Sequence, residues 1–182
     1  AEAEGLLALM LLHHARRAAR RTAAGDIVPL AQQDRGLWDT AMIADGIETL
    51  QAALAADRLG EYQAQAAIAA LHADARSAAE TDWPQIVEWY DELAKFNGSA
   101  VVLLNRAVAI VEADGARAGL VALGVVDRGV PRFAAASAYL HERAGERELA
   151  AREYTEAARL ATSEAERAHL ARQVARLGAV CD

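Results

Sequence analysis

A single cysteine, Cys181, stands one residue from the end of this 182-residue chain. No internal disulfide is therefore available, and the reducing cytoplasm is the natural compartment for an inert tail thiol. Long apolar runs are missing as well. The longest, Gly5 to Leu12, falls far short of the roughly 20 residues a spanning helix needs, and Arg16, Arg17, Arg20 and Arg21 follow at once. Membrane insertion is not expected. Nor is a secretory leader, because Glu2 and Glu4 occupy the place where a leader carries positive charge. Lysine is confined to Lys95, and the net charge is −7. That sign is wrong for a surface that neutralises phosphates, so DNA contact by this chain itself is not expected.

Catalytic constellations are also missing. There is no glycine-rich phosphate loop, no nucleophile elbow around Ser77, Ser99, Ser137 or Ser163, and no motif of paired metal-binding carboxylates. The chain reads as a non-enzyme without a cofactor. A zinc site needs three or four converging ligands, and the five histidines lack that spacing. His13 and His14 are adjacent and point about 100° apart on a helix, His141 has no second ligand one turn away, and His72 stands beside Asp74. On its apolar helix face after Ile68, His72 reads as a hydrogen-bonded core residue. Glu142, Glu146, Glu148, Glu153 and Glu156 read as solvated helix faces with arginine nearby.

What is present is helix. β-Branched residues fall inside helix-period patterns and alternating apolar/polar runs do not occur, so the fold class is all-α. The first helix is expected from about Glu4 to Arg21, its arginines forming a solvated stripe opposite Leu6, Leu9, Met10 and Leu12. An extended segment, Ile27 to Leu30, leads to a second helix from about Asp34 to Ala56, and a third covers about Tyr62 to Ala73. Thr81 or Asp82 caps a fourth, with Pro84 tolerated in its first turn, running to about Phe96. Asn97-Gly98-Ser99 stops it and opens a helix from Ala100 to Ala113. Further helices are expected over 116–123, 134–144, 147–160 and 164–177. Short turns between them imply antiparallel hairpins. Gly145, Ala150, Tyr154 and Ala157 match the turn glycine and small-large-small pattern of a tetratricopeptide repeat, and Gly115 with Leu120 stands in the corresponding place one unit earlier. The offset is about 30 residues against about 34, so the array is degenerate; an irregular helical bundle stays open as the alternative. Residues 1–31 read as an N-terminal helix and extended linker, and 32–182 as the tetratricopeptide-like domain.

Composition departs most sharply from amphipathic helix at Gln32-Gln33-Asp34-Arg35-Gly36-Leu37-Trp38-Asp39. Taken with Tyr62-Gln63-Ala64-Gln65-Ala66-Ala67-Ile68-Ala69-Ala70-Leu71-His72, Thr81-Asp82-Trp83 and Leu104-Asn105-Arg106-Ala107-Val108-Ala109, this string resembles the long C-terminal extension of a subgroup of bacterial extracytoplasmic-function-type sigma factors. The four strings cover nearly the whole chain in the order and approximate spacing of that extension. Gln32 departs from the acidic residue usual in the family, and Pro84 stands where an ordinary helix former is expected. The resemblance implies a fragment of a longer polypeptide whose polymerase-binding and promoter-reading domains lie before it. It implies a regulatory role in transcription initiation, with those sigma core domains and RNA polymerase as partners and DNA reached only through parts outside this chain.

Within the polar cluster, Asp34 suits a helix cap at the positive end of the helix dipole, and Arg35 and Trp38, about one turn apart, share a face. Arg35 has Asp34, Asp39 or a carboxylate elsewhere as candidate bidentate partners. Three readings stay open for Asp34, Arg35, Trp38 and Asp39: a latch that anchors the loop, a recognition patch of the Trp and Arg types favoured in interfaces, or part of a small-ligand pocket with His72 and Asn105. Asn105 and Arg106 are the candidates for a carboxylate clamp if the chain is instead a stand-alone scaffold that binds a peptide. A homodimer through leftover apolar surface at the end of a helical stack also stays open.

Overall fold

A computed structural model describes residues 1–56 and 58–179; Cys181 lies outside the described residues. The chain is all-α, with nine α-helices and no β-strand among the described residues. No helix there is long and apolar enough to cross a membrane. The helices fall into two units. One comprises Ala1–Ala24 and Val28–Gly98, the other Gly25–Ile27 and the chain from Ser99 on. This division differs from the one drawn at 31/32, because the first helix packs into the body formed by the three that follow it.

Unit 1 contains α1 (Glu2–Ala15), α2 (Thr40–Leu54), α3 (Glu61–Asp74) and α4 (Trp83–Phe96). Helix α1 packs on α2 and α3, and α4 packs on α3. Small residues let the backbones approach: Ala8, Ala64 and Ala66 are fully buried, as is Leu12. At Gly5 an added Cβ would lie 2.8 Å from the backbone N of Gln63, so α1 and α3 touch main chain to main chain. Gly5→Val is therefore expected to destabilise unit 1 by about 1–3 kcal/mol, read as a lower urea midpoint. Gln63 itself is fully buried, and its Nε2 donates to the Ala53 carbonyl near the end of α2 at 2.8 Å. As the sequence led us to expect, Asp82 caps α4, accepting from Gln85 N at 3.0 Å, with Pro84 in the first turn.

Two expected helix boundaries move. The first helix stops at Ala15 instead of Arg21, and Arg17–Ala19 forms a separate 3₁₀ turn. The Ala15 carbonyl, which a continuing helix would need, instead accepts the N–H of Asp39 at 3.0 Å. The second helix starts at Thr40, not Asp34. Gly36 is a weak helix former, and Asp39 provides the cap nearer the apolar face, its Oδ1 accepting from Met42 N at 3.0 Å. The segment before it makes two 3₁₀ turns, Leu30–Gln32 and Arg35–Leu37.

Unit 2 contains α5 (Ala100–Asp114), α6 (Ala116–Leu123), α7 (Phe133–Arg143), α8 (Arg147–Leu160) and α9 (Glu164–Gly178). Gly115 and Gly145 turn the chain at φ +89° and +80°, a region that favours glycine. Gly119 faces Val111 and the Ala107 carbonyl, so α5 and α6 run antiparallel about Gly115. Arg147 Nη2 donates to the Leu177 carbonyl at 2.8 Å, which sets α8 and α9 antiparallel in the same way. The small-large-small pattern is the buried one: Ala150, Tyr154 and Ala157 are 0, 6 and 6% exposed, packed with Ala138, Leu170 and Leu177. Glu142 is not simply solvated. It accepts from Tyr154 Oη at 3.1 Å and pairs with Arg176 at 2.7 Å, and burial with this carboxylate beside it raises the Tyr154 pKa.

Candidate functional site

The polar cluster folds as a bracket between the end of α1 and the end of α3. Asp34 accepts from Gly36 N at 2.9 Å and so caps the 3₁₀ turn Arg35–Leu37. The next amides are bonded too, Leu37 N to the Asp34 carbonyl at 3.2 Å and Trp38 N to the Arg35 carbonyl at 3.1 Å. Asp39 then ties the segment to α1 through Ala15 and starts α2. Trp38, 6% exposed, enters the core among Leu12, Ala15, Ala19, Ile43 and Ala69.

Arg35 does not pair with Asp34 or Asp39. Its Nη1 donates to the carbonyls of His72 and Ala75 at 2.8 and 2.6 Å. These belong to the final turn and the cap of α3, where carbonyls lack helical partners and the dipole is negative. A guanidinium there satisfies two orphan acceptors and places a cation at the favourable end. The same guanidinium lies over the Trp38 ring, 4.4 Å from its centroid, within cation–π reach. Burial lowers the Arg35 pKa, with Glu80 acting in the opposite direction.

Arg16 is the residue that sequence reasoning misplaced. It is 7% exposed and not part of a solvated stripe. Its guanidinium lies 5.7 Å from the Trp38 centroid, and its Nη2 is 3.2 Å from His13 Nδ1. Burial, then repulsion from Arg20 and Arg35, lowers its pKa to about 10. Its Nε and the Trp38 Nε1 are both buried without a hydrogen-bond partner in the protein; the ring face attracts the guanidinium but supplies no acceptor for the indole N–H. The sequence signal is the spacing i, i+4 and i+7 of Leu12, Arg16 and Ala19, which would share a face if the helix continued past Ala15. The apolar stripe expected opposite the arginines also divides. Leu12 is fully buried, whereas Leu6 and Met10 are exposed.

His72 completes the site. Its ring meets Trp83 edge-on, with centroids 5.2 Å apart and planes at 76°. Burial, followed by the nearby Arg16 and Arg35 charges, lowers its pKa to about 4, so it is a neutral imidazole at physiological pH. Three of the four sequence strings thus meet at one place: Arg35 and Trp38 from the first, His72 from the second, Trp83 from the third. Beside them lies a recess of about 300 Å³ lined in part by His14, Arg17, Leu37, Trp38 and Asp39. Its lining mixes one guanidinium, Arg17, and one carboxylate, Asp39, with the exposed Leu37. Asn105 and Arg106 are carried by α5 in unit 2, Asn105 exposed and Arg106 half-buried.

Residues 1–54 match a family of unknown function (DUF6596). Over 119 residues the chain is 46% identical to uncharacterized protein R00370 of Rhizobium meliloti (strain 1021), a match that takes in 65% of this chain and 28% of that protein. The match therefore spans less than a third of the length of this relative. No solved structure matches it.

Proposed function

We propose that residues 1–182 form a regulatory, protein-interaction module of a longer sigma-type transcription-initiation factor, non-enzymatic and cytoplasmic, contacting the sigma core domains of the same polypeptide and RNA polymerase. The observation that carries this reading is the ordered set of four strings, Gln32 to Asp39, Tyr62 to His72, Thr81 to Trp83 and Leu104 to Ala109. Three of them interlock through Arg35, His72 and Trp83, so these strings act as parts of one structural unit. A relative most of whose length lies outside the match agrees with a module attached to other domains. The net charge of −7 favours protein contact over phosphate binding. The polar bracket serves this function by fixing α1 against α3, and DNA is read by parts outside residues 1–182.

Reconstituted transcription tests the proposal. The parent factor is compared with and without residues 1–182 on its own promoter, using purified polymerase. Run-off product is expected to change several-fold on deletion, upward for an inhibitory module and downward for an activating one. Unchanged output, or a parent sequence with no promoter-reading region, would contradict the reading.

A further inference from the structure

Helix α1 carries Leu6, Leu7, Leu9, Met10, Leu11 and Leu12 in a run broken only by Ala8, and so has no polar face along its middle. A helix that is apolar all round is normally covered all round, yet α1 is covered on one side. Ala8, Leu12 and Ala15 are buried in the unit 1 core, while Leu6, Leu7 and Met10 are 37, 50 and 60% exposed. Helical spacing sets Ala3, Leu7, Met10 and His14 in one row with Leu6 beside it. This row runs directly into exposed His14, Arg17 and Arg20. No carboxylate among the described residues pairs with these three. Arg17 Nη1 is 2.9 Å from His14 Nε2, and Arg20 Nη2 donates to the His13 carbonyl at 2.8 Å. The carboxylates of the adjoining bracket, Asp34 and Asp39, accept from backbone N–H groups of Gly36 and Met42.

From this juxtaposition we propose that the outer face of α1 docks an amphipathic helix of a partner polypeptide, with an apolar stripe against Leu6, Leu7 and Met10 and carboxylates against Arg17 and Arg20. The leucines supply buried apolar area, and the uncompensated cations set direction and register, since charge complementarity across an interface does so. Nucleic acid fits less well, because phosphates gain nothing from the leucine row and the chain is acidic as a whole. A second copy of this chain also fits less well. Its α1 repeats the same basic end, and Glu2 at the other end is taken up within its own unit, accepting from Tyr62 N at 3.1 Å. The proposal deepens the interaction reading above by naming the chemistry of the partner, and its test involves no polymerase.

The test uses the purified 1–182 chain and two synthetic helical peptides that share a leucine stripe, one with glutamates at one end and a twin with lysines at the same positions. Fluorescence anisotropy is expected to give at least about tenfold tighter binding for the glutamate peptide. Raising salt should narrow that gap. Met10→Asp and Arg17→Glu, both at exposed positions, should each weaken the glutamate peptide about tenfold while leaving the melting temperature of the chain unchanged. Equal binding of the twins, no binding of either, or binding indifferent to both substitutions would overturn the proposal. So would sedimentation showing a dimer of the chain that Met10→Asp dissolves, or duplex DNA displacing the glutamate peptide. Loss of the transcription effect with peptide binding intact would remove the sigma-factor reading and leave this one standing.

Discussion

Replacing Trp38 with alanine is expected to cost unit 1 about 3–5 kcal/mol, the range for an emptied aromatic core site. The indole fills the space between Leu12, Ala15, Ile43 and Ala69, and it is the surface on which Arg16 and Arg35 rest. Its removal leaves a cavity that Ala15, Ala19 and Ala69 have no side chain long enough to fill. It also strips the ring contact from a guanidinium that is 7% exposed, and an unsupported buried charge adds its own penalty. Urea unfolding should show the midpoint of unit 1 falling steeply. Leu37→Ala is the control: one residue away and 54% exposed, it should change stability by no more than about 0.5 kcal/mol. A Trp38→Ala loss as small as that of Leu37→Ala would mean that the bracket does not hold the unit together.

Acid should weaken the fold through His72 well before the carboxylates account for it. The folded pKa of about 4 lies below the ordinary 6.5, so between those values the unfolded chain binds a proton that the folded chain refuses. Stability contributed by the neutral ring is fully present above about pH 6.5, falls as pH drops toward 4, and levels off below that. The total loss is roughly 3 kcal/mol at most. His13 moves in the same direction, lowered by burial and by Arg16 and Arg20. His72→Gln keeps a polar side chain that cannot take up the proton. The difference in urea midpoint between pH 7 and pH 4.5 should therefore be smaller in the variant than in the parent, with carboxylate effects cancelling in the comparison. Equal pH dependence would show that His72 titrates normally.

Much of the helical fold was legible because its signals are local. The cap at Asp82 with Pro84, the glycine turns at 115 and 145, and the buried series Ala150, Tyr154, Ala157 all follow from residue types at fixed offsets. The structure departs from the local signals where a tertiary bond overrides propensity. Nothing near Ala15 announces that its carbonyl is taken by Asp39, a residue 24 positions away (39 − 15), and a run of Ala and Arg reads as continuous helix. Arg35 illustrates the same limit. Local reasoning supplied Asp34 and Asp39 as partners, whereas the donor reaches backbone carbonyls at the far end of α3, acceptors that every residue carries and no sequence pattern marks. Arg16 was obscured for a different reason: a basic run suggests solvent, and only its spacing from Leu12 and Ala19 separates it from Arg17 and Arg20.

Of the three readings open for the polar cluster, the anchoring latch matches its placement. Its tryptophan is core, its aspartates are caps and its arginine is a helix-end ligand, so the segment builds the platform on which α1 presents its outer face. Hydrogen–deuterium exchange of the isolated chain tests this most directly. The amides of Gly36, Leu37, Trp38 and Asp39 each donate to a protein acceptor. They should exchange as slowly as those of α1 and α3, and together with them lose protection in Trp38→Ala. Exchange of this segment at the rate of an unstructured loop, with protection appearing only when a partner is added, would contradict the account.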